Sequence, residues 1–205
     1  MSDTLPGLEW TVAQRPMPGE TVSGDRCLVR PWGGGILLAA MDGLGHGEEA
    51  ARAARTAAGC LAGERLAGDL AAVIRECHEA LRGTRGVALT AALYHPVPGR
   101  LQWASIGNVE GVLWQRPGRP DGRRQCVTPR GGVVGYQLPS IRVATLEVAA
   151  GDVFCLATDG IASAFVEKTP AFLEPRRLAG YIMERYGKGT DDALVLAARF
   201  GEAVP

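Results

Sequence analysis

Apolar and polar positions along this chain fall into two rhythms, and the switches between them mark out its elements. Leu8 to Ala13, Cys27 to Arg30 and Ile36 to Met41 are short runs rich in apolar residues, which is how strands read. PWGGG separates the last two, where Pro and Gly supply the dihedrals of a hairpin connection. The period then lengthens. From Glu48 to about Leu66, the residues Ala50, Ala53, Ala54, Ala57 and Leu61 recur at helical spacing, small enough for close approach to whatever lies beneath. Glu48 and Glu49 sit in the first turn, where the helix dipole favours negative charge. After a cap at Asp69, the residues Leu70, Val73, Ile74, Cys77 and Leu81 form a second helical stripe, which Gly83 ends.

Beyond Gly83 the pattern shortens again. Val87 to His95, Leu101 to Ile106, Gly111 to Gln115, Cys126 to Thr128, Ile141 to Val148 and Val153 to Thr158 are apolar, β-branched segments punctuated by PVPG, RPGRPDG and AAGD. Turns at such spacing predict an antiparallel meander. A last helix, roughly Pro175 to Tyr186, places Leu178, Tyr181, Ile182 and Tyr186 on one face, and a strand runs Ala193 to Phe200. The order predicts an α+β layered domain of stacked sheets covered by helices, one unit over residues 1–205.

Charge and composition narrow the partners. Lys and Arg number 22 and Asp and Glu 22, so no whole-molecule field points to nucleic acid or to an anionic membrane. The N-terminus lacks the cationic start and apolar core of a secretion signal, and no apolar run approaches the roughly 18 residues of a membrane span. The chain reads as soluble and cytoplasmic. Its five cysteines form no C-x-x-C pair and sit in apolar patterns, as buried reduced thiols do. Arg116, Arg119, Arg123 and Arg124 make a basic loop that reads as a solvated hairpin tip, able to dock an anionic surface only if it borders a site.

The candidate chemistry is carboxylate chemistry. Asp42 ends the run ILLAAMD and is followed by GLGHG; Asp159 ends VFCLATD; Asp191 precedes ALVLAARF; Asp25 lies in SGDRCLV. Each stands at a strand end, where an ionised carboxylate beside others is costly without a partner and a divalent cation removes the penalty. All-oxygen ligands select Mg²⁺ or Mn²⁺ over zinc. Gly43 permits a carbonyl to approach such an ion, or simply permits a tight strand-to-helix turn. Gly43, Gly45 and Gly47 also resemble a phosphate cradle, without the Lys-Ser/Thr of a P-loop. His46 reads equally as a general acid and as a turn residue, His78 and His95 as structural, and Asp152 as a turn residue.

SGD, MDGLGHG, ATDGI and TDDALVL occur in the order and context of the metal-dependent protein phosphatases of the 2C type, and the chain most resembles their bacterial SpoIIE-like branch from about residue 20 to 200. The resemblance implies a four-layer αββα sandwich, two antiparallel β-sheets flanked by helices. It implies two divalent cations, Mn²⁺ or Mg²⁺, with Asp42 bridging them, Gly43 offering its carbonyl, Asp159 and Asp191 completing one shell, and Asp25 serving the other directly or through water. Asp42 and Asp159 are then the catalytic carboxylates, and a hydroxide generated between the ions attacks phosphoserine or phosphothreonine. The implied substrate is a phosphorylated STAS-domain regulatory protein of a stressosome or partner-switching pathway, and neither nucleic acid nor membrane.

Two readings from other classes compete: a non-catalytic phosphoprotein-binding module of the same fold, and a hydrolase of small phosphate esters. The chain also departs from the eukaryotic members. They carry His directly after Asp-Gly, whereas Leu44 stands here and His46 follows two residues later, which leaves leaving-group protonation unassigned. Of the acidic pair, Asp191 matches the family ligand and Asp192 does not. Arg26 is a phosphate-binding candidate on proximity to Asp25 alone.

Overall fold

In a computed structural model of the chain, residues 2–63, 69–117, 124–170 and 172–202 are described. The first strands are β1 (Ser2–Leu5), β2 (Leu8–Arg15), β3 (Asp25–Trp32) and β4 (Gly35–Gly43), followed by helices α1 (Gly47–Leu61) and α2 (Leu70–Ala80). Then come β5 (Val87–His95), β6 (Arg100–Ile106), β7 (Glu110–Trp114), β8 (Arg124–Gln125), β9 (Ala144–Glu147) and β10 (Val153–Ala157). The short α3 (Phe165–Lys168), α4 (Pro175–Tyr186) and β11 (Ala193–Phe200) complete the order.

These strands form two antiparallel sheets, ordered β1-β2-β11-β10-β7-β8 and β3-β4-β5-β6-β9. Burial separates them into the four expected layers. Between the sheets lie Ile36, Leu38, Trp103, Leu113, Phe154, Leu156, Leu194 and Leu196, with Trp103 edge-on to Phe154. On the outer face of the second sheet, Leu37, Ala39 and Met41 meet Ala53, Ala54 and Ala57 of α1 and Val73, Ile74 and Cys77 of α2. On the outer face of the first, Val153, Cys155, Val195 and Ala197 meet Phe165, Leu178 and Ile182, with Tyr181 and Tyr186 partly buried against them. Odd and even residues of β4 thus serve different cores, which is why its sequence reads as one apolar run rather than an alternation.

The predicted meander does not form. The chain makes β5 and β6 in one sheet, crosses to the other for β7 and β8, returns for β9 and crosses again for β10. Turn spacing reports that consecutive strands are short, but two buried sheets give their strands the same composition, so the crossings leave no local mark. Residues 126–128 are not a strand; the short β8 lies just before them. The segment predicted over 141–148 contracts to β9, and α1 ends at Leu61 rather than running on to Leu66, which itself lies outside the described residues, as do Arg119 and Arg123. Arg124 pairs with Glu167 of α3, 3.4 Å away.

The PWGGG hairpin closes on Gly33 and Gly34, both with positive φ (56° and 77°), as a two-residue turn between twisted strands requires. Asp69 caps α2 as expected, accepting from Ala72 N at 2.8 Å. Asp152 is a fully buried turn residue, accepting from Arg116 N and Ala149 N. Among the described residues no helix is long and apolar enough to cross a membrane.

Candidate active site

Along β4 the residues Ile36, Leu38 and Ala40 point between the sheets. Asp42 continues that alternation, so its side chain emerges where the apolar lining stops. Asp25 is its direct partner across β3–β4. Such pairs hold their Cβ atoms about 5 Å apart on one face. The other sheet brings its own carboxylates to the same edge: Asp159 lies two residues after β10 and Asp191 two before β11, and these strands are antiparallel neighbours in which Ala157 pairs with Val195. Thr158 joins the sheets there, its Oγ1 donating to Asp25 Oδ2 at 2.6 Å and accepting from Leu194 N at 2.8 Å.

Asp42, Asp159 and Asp191 line a cleft of about 270 Å³, together with Leu44, His46 and Asn108. Asp25 lies beneath its floor, 1% exposed. Asn108 Nδ2 donates to Asp159 Oδ2 at 2.7 Å. Burial, and then the neighbouring Asp42, pushes the Asp25 carboxyl up to about 8 despite the Thr158 hydrogen bond. Burial, followed by Asp159 and Asp191, pushes Asp42 up to about 7. Asp159 is raised by burial and by Asp191, against Lys188 and Asn108. Among the described residues no ion pair neutralises any of the four. Nor are three acidic, histidine or cysteine side chains drawn onto one coordination point among them.

The adjacent acidic residues divide their roles. Asp191 faces the cleft, whereas Asp192 is buried and accepts from Met17 N at 2.8 Å and Gly24 N at 2.9 Å, fastening the segment before β3 to the start of β11. Gly43 is required by packing, because a Cβ there would collide with the Ala50 carbonyl of α1. Arg26 is exposed and, as the strand neighbour of Asp25, projects from the opposite face of β3, so it does not join the site.

His46 is the residue before α1 and lines the cleft, with Nδ1 2.8 Å from Glu20 Oε1. His78 Nδ1 accepts from Gly135 N at 2.9 Å, in keeping with a structural role. Sequence reasoning missed Asn108, Thr158 and Glu20. Thr158 stood inside the ATDGI motif and was readable there; Asn108 and Glu20 lie in turns, where polar residues are ordinary. It also missed Arg85, whose Nη1 lies 2.8 Å from where a Gly45 Cβ would stand.

A family model described as stage II sporulation protein E (SpoIIE) matches residues 33–201. Among solved structures the chain is similar to a protein of the bacterial stressosome, described as a modular system adapted to control secondary messenger signalling. Identity is 33%, over 94% of this chain and 99% of that one, with a TM-score of 0.83. It is similar to RsbX in complex with magnesium at 17% identity, over 98% and 99% of the two chains, TM-score 0.82. The catalytic domain of the serine/threonine phosphatase PstP in complex with two manganese ions matches at 22% identity, over 95% and 99%, TM-score 0.71. The last two likenesses speak to the fold, which is the four-layer sandwich described above. No curated protein sequence matches the chain.

Proposed function

The chain belongs to the SpoIIE family of PP2C-type protein phosphatases, and from that premise we propose that Asp42, Gly43, Asp159, Asp191 and Asp25 hold two divalent cations, Mn²⁺ or Mg²⁺, at which phosphoserine or phosphothreonine of a regulatory protein is hydrolysed. One observation carries the assignment. Two sheets deliver buried or half-buried carboxylates to a single edge, with Asp25 and Asp42 as cross-strand partners and no basic side chain among the described residues in an ion pair with them.

The donor set fits the ions. It is all oxygen, the preference of hard dications, and Asp25, Asp42 and Asp159 are raised by burial and by their neighbours, the strain that a dication relieves. When bound, such ions make water acidic enough to ionise near neutral pH and neutralise the phosphoryl oxygens. The chain's own residues do the positioning. Asp42 lies between Asp25 on its own sheet and Asp159 and Asp191 on the other, a place suited to sharing between two ions. Thr158 and Asn108 each engage one oxygen of Asp25 and Asp159, which fixes how the carboxylates are presented. Gly43 keeps α1 against the strand end, which holds its own carbonyl at this edge.

Likeness to a stressosome protein supports a phosphorylated STAS-domain regulatory protein as the substrate. The test is phosphate release from such a protein with Mn²⁺ and with chelator, for the native chain and for Asp42→Asn. Asp42→Asn is expected to keep its circular dichroism spectrum and lose about 10³-fold in turnover, the scale of roughly 4 kcal/mol of transition-state stabilisation. Full activity in the variant removes Asp42 from its assigned role. Equal release from sugar phosphates or nucleotides overturns the protein substrate, and phosphoprotein binding without turnover by the native chain in Mn²⁺ favours the binding-module reading.

A further inference from the structure

We infer that Cys60 and Cys77 form a peroxide-responsive dithiol that closes into a disulfide stapling α1 to α2, a modification site apart from the carboxylate cleft. Cys60 lies in the last turn of α1 and is half-buried, so a small oxidant reaches it; Cys77 is fully buried on the face of α2 that packs against α1. The Cys77 thiol points at the α1 backbone, 3.9 Å from the Ala57 carbonyl. Ala57 is one turn before Cys60, and residues three apart share a helix face, so the two side chains meet at one point of the seam. Cys60 itself packs against the apolar cluster that holds Cys77.

The contact is polarised in the sense that disulfide formation needs. The neighbouring Cys77 lowers the Cys60 thiol, against burial and Glu76, which favours the Cys60 thiolate. The neighbouring Cys60, with burial, pushes the Cys77 thiol well up, which keeps its proton in place until the partner has reacted. The other cysteines lack this arrangement. Burial raises Cys27 to about 11, raises Cys155 further, and raises the exposed Cys126.

The co-reactant is a hydroperoxide, with hydrogen peroxide as the probe. The Cys60 thiolate attacks one peroxide oxygen, the O–O bond breaks, and Cys60 is oxidised by two electrons to the sulfenic acid. The departing hydroxide takes the Cys77 proton and leaves as water. Cys77 sulfur then attacks Cys60 sulfur, the S–O bond breaks, and the second hydroxide leaves as water with a proton from solvent. In sum two thiols and one peroxide give one disulfide and two waters.

The experiment treats the full chain, in chelator, with hydrogen peroxide, blocks remaining thiols with N-ethylmaleimide, and maps tryptic peptides. The expected result is a loss of about 2 Da and a linkage between peptides 56–65 and 76–82 that a thiol reductant reverses. In Cys77→Ala, Cys60 is expected to accumulate as a sulfenic acid captured by dimedone; in Cys60→Ser, Cys77 is expected to stay reduced. Both variants are first checked for native circular dichroism. Unchanged maleimide labelling of Cys60 after peroxide overturns the inference, as does its passage to sulfinic acid without the linkage, or a disulfide formed through Cys126 instead.

Discussion

Asp25→Asn separates the folding cost of the carboxylate cluster from its use. The folded chain holds the Asp25 carboxyl at about 8, whereas an unfolded aspartate ionises near 4. At pH 7 the folded, metal-free protein must therefore keep a proton that the unfolded chain has released, at about 1.36 kcal/mol for each of the roughly three pH units between, or about 4 kcal/mol. Water reaching the carboxyl reduces this to about 2 to 4 kcal/mol. Because the folded pKa is the higher one, the contribution is fully present below about pH 4 and is lost as pH rises towards 8. Asparagine keeps the shape and an oxygen for Thr158 but has no proton to lose. In chelator the native chain should melt at falling temperature between pH 5 and 8, while Asp25→Asn follows a flatter curve and melts roughly 5 to 10 °C higher at pH 7. Adding Mn²⁺ should reverse the order, raising the native chain more than the variant. Differential scanning fluorimetry across pH, with and without Mn²⁺, reads both effects. A variant that melts below the native chain in chelator, or equal stabilisation of both by Mn²⁺, refutes the reasoning.

Other substitutions probe the same edge. Gly43→Ala places a methyl group against the Ala50 carbonyl, which should cost about 1 to 3 kcal/mol in urea unfolding by forcing α1 away from β4. Asp192→Asn turns an amide N–H₂ towards Met17 N or Gly24 N and should cost about 1 to 3 kcal/mol. Asp191→Asn should leave urea stability within about 1 kcal/mol and abolish most Mn²⁺-dependent turnover, so the two neighbours separate when unfolding and phosphate release are measured side by side.

The strand ends and helix faces of this fold were legible because they obey local rules. The apolar run into Asp42, the Asp69 cap and the α2 stripe each follow from spacing and from one residue's chemistry. The division of strands between two sheets was not, since Val87–His95 and Val153–Ala157 are equally apolar and neither records its partner. In the site, Asp42, Asp159 and Asp191 were readable as carboxylates at the ends of buried strands, and the cleft gathers all three. Asp25 was found by its motif, but its depth was not, because burial depends on Asp42 arriving opposite it across the β3–β4 hairpin and on Thr158 of the other sheet closing over it rather than on SGDR itself. Arg26 failed for the converse reason: adjacency in a strand means opposite faces. The pairing of Cys60 with Cys77 was hidden too, since residues seventeen apart in sequence meet only when two helices pack.

Polar side chains clasp the sandwich at its carboxylate rim: besides Thr158, Gln14 Nε2 donates to the Asp25 carbonyl at 2.8 Å and Asp192 holds Gly24 N. Between these ties the leaflets meet through apolar side chains, Thr158 is latched to Asp25 on one leaflet and to Leu194 on its own, and Gln115 donates to the Glu147 carbonyl towards the far end. The opposite extremity, the Gly33–Gly34 bend, lies about 25 Å away along β4. Peptide tags spliced into that exposed bend therefore sit at the far end of the sheet from the carboxylates and should leave them undisturbed.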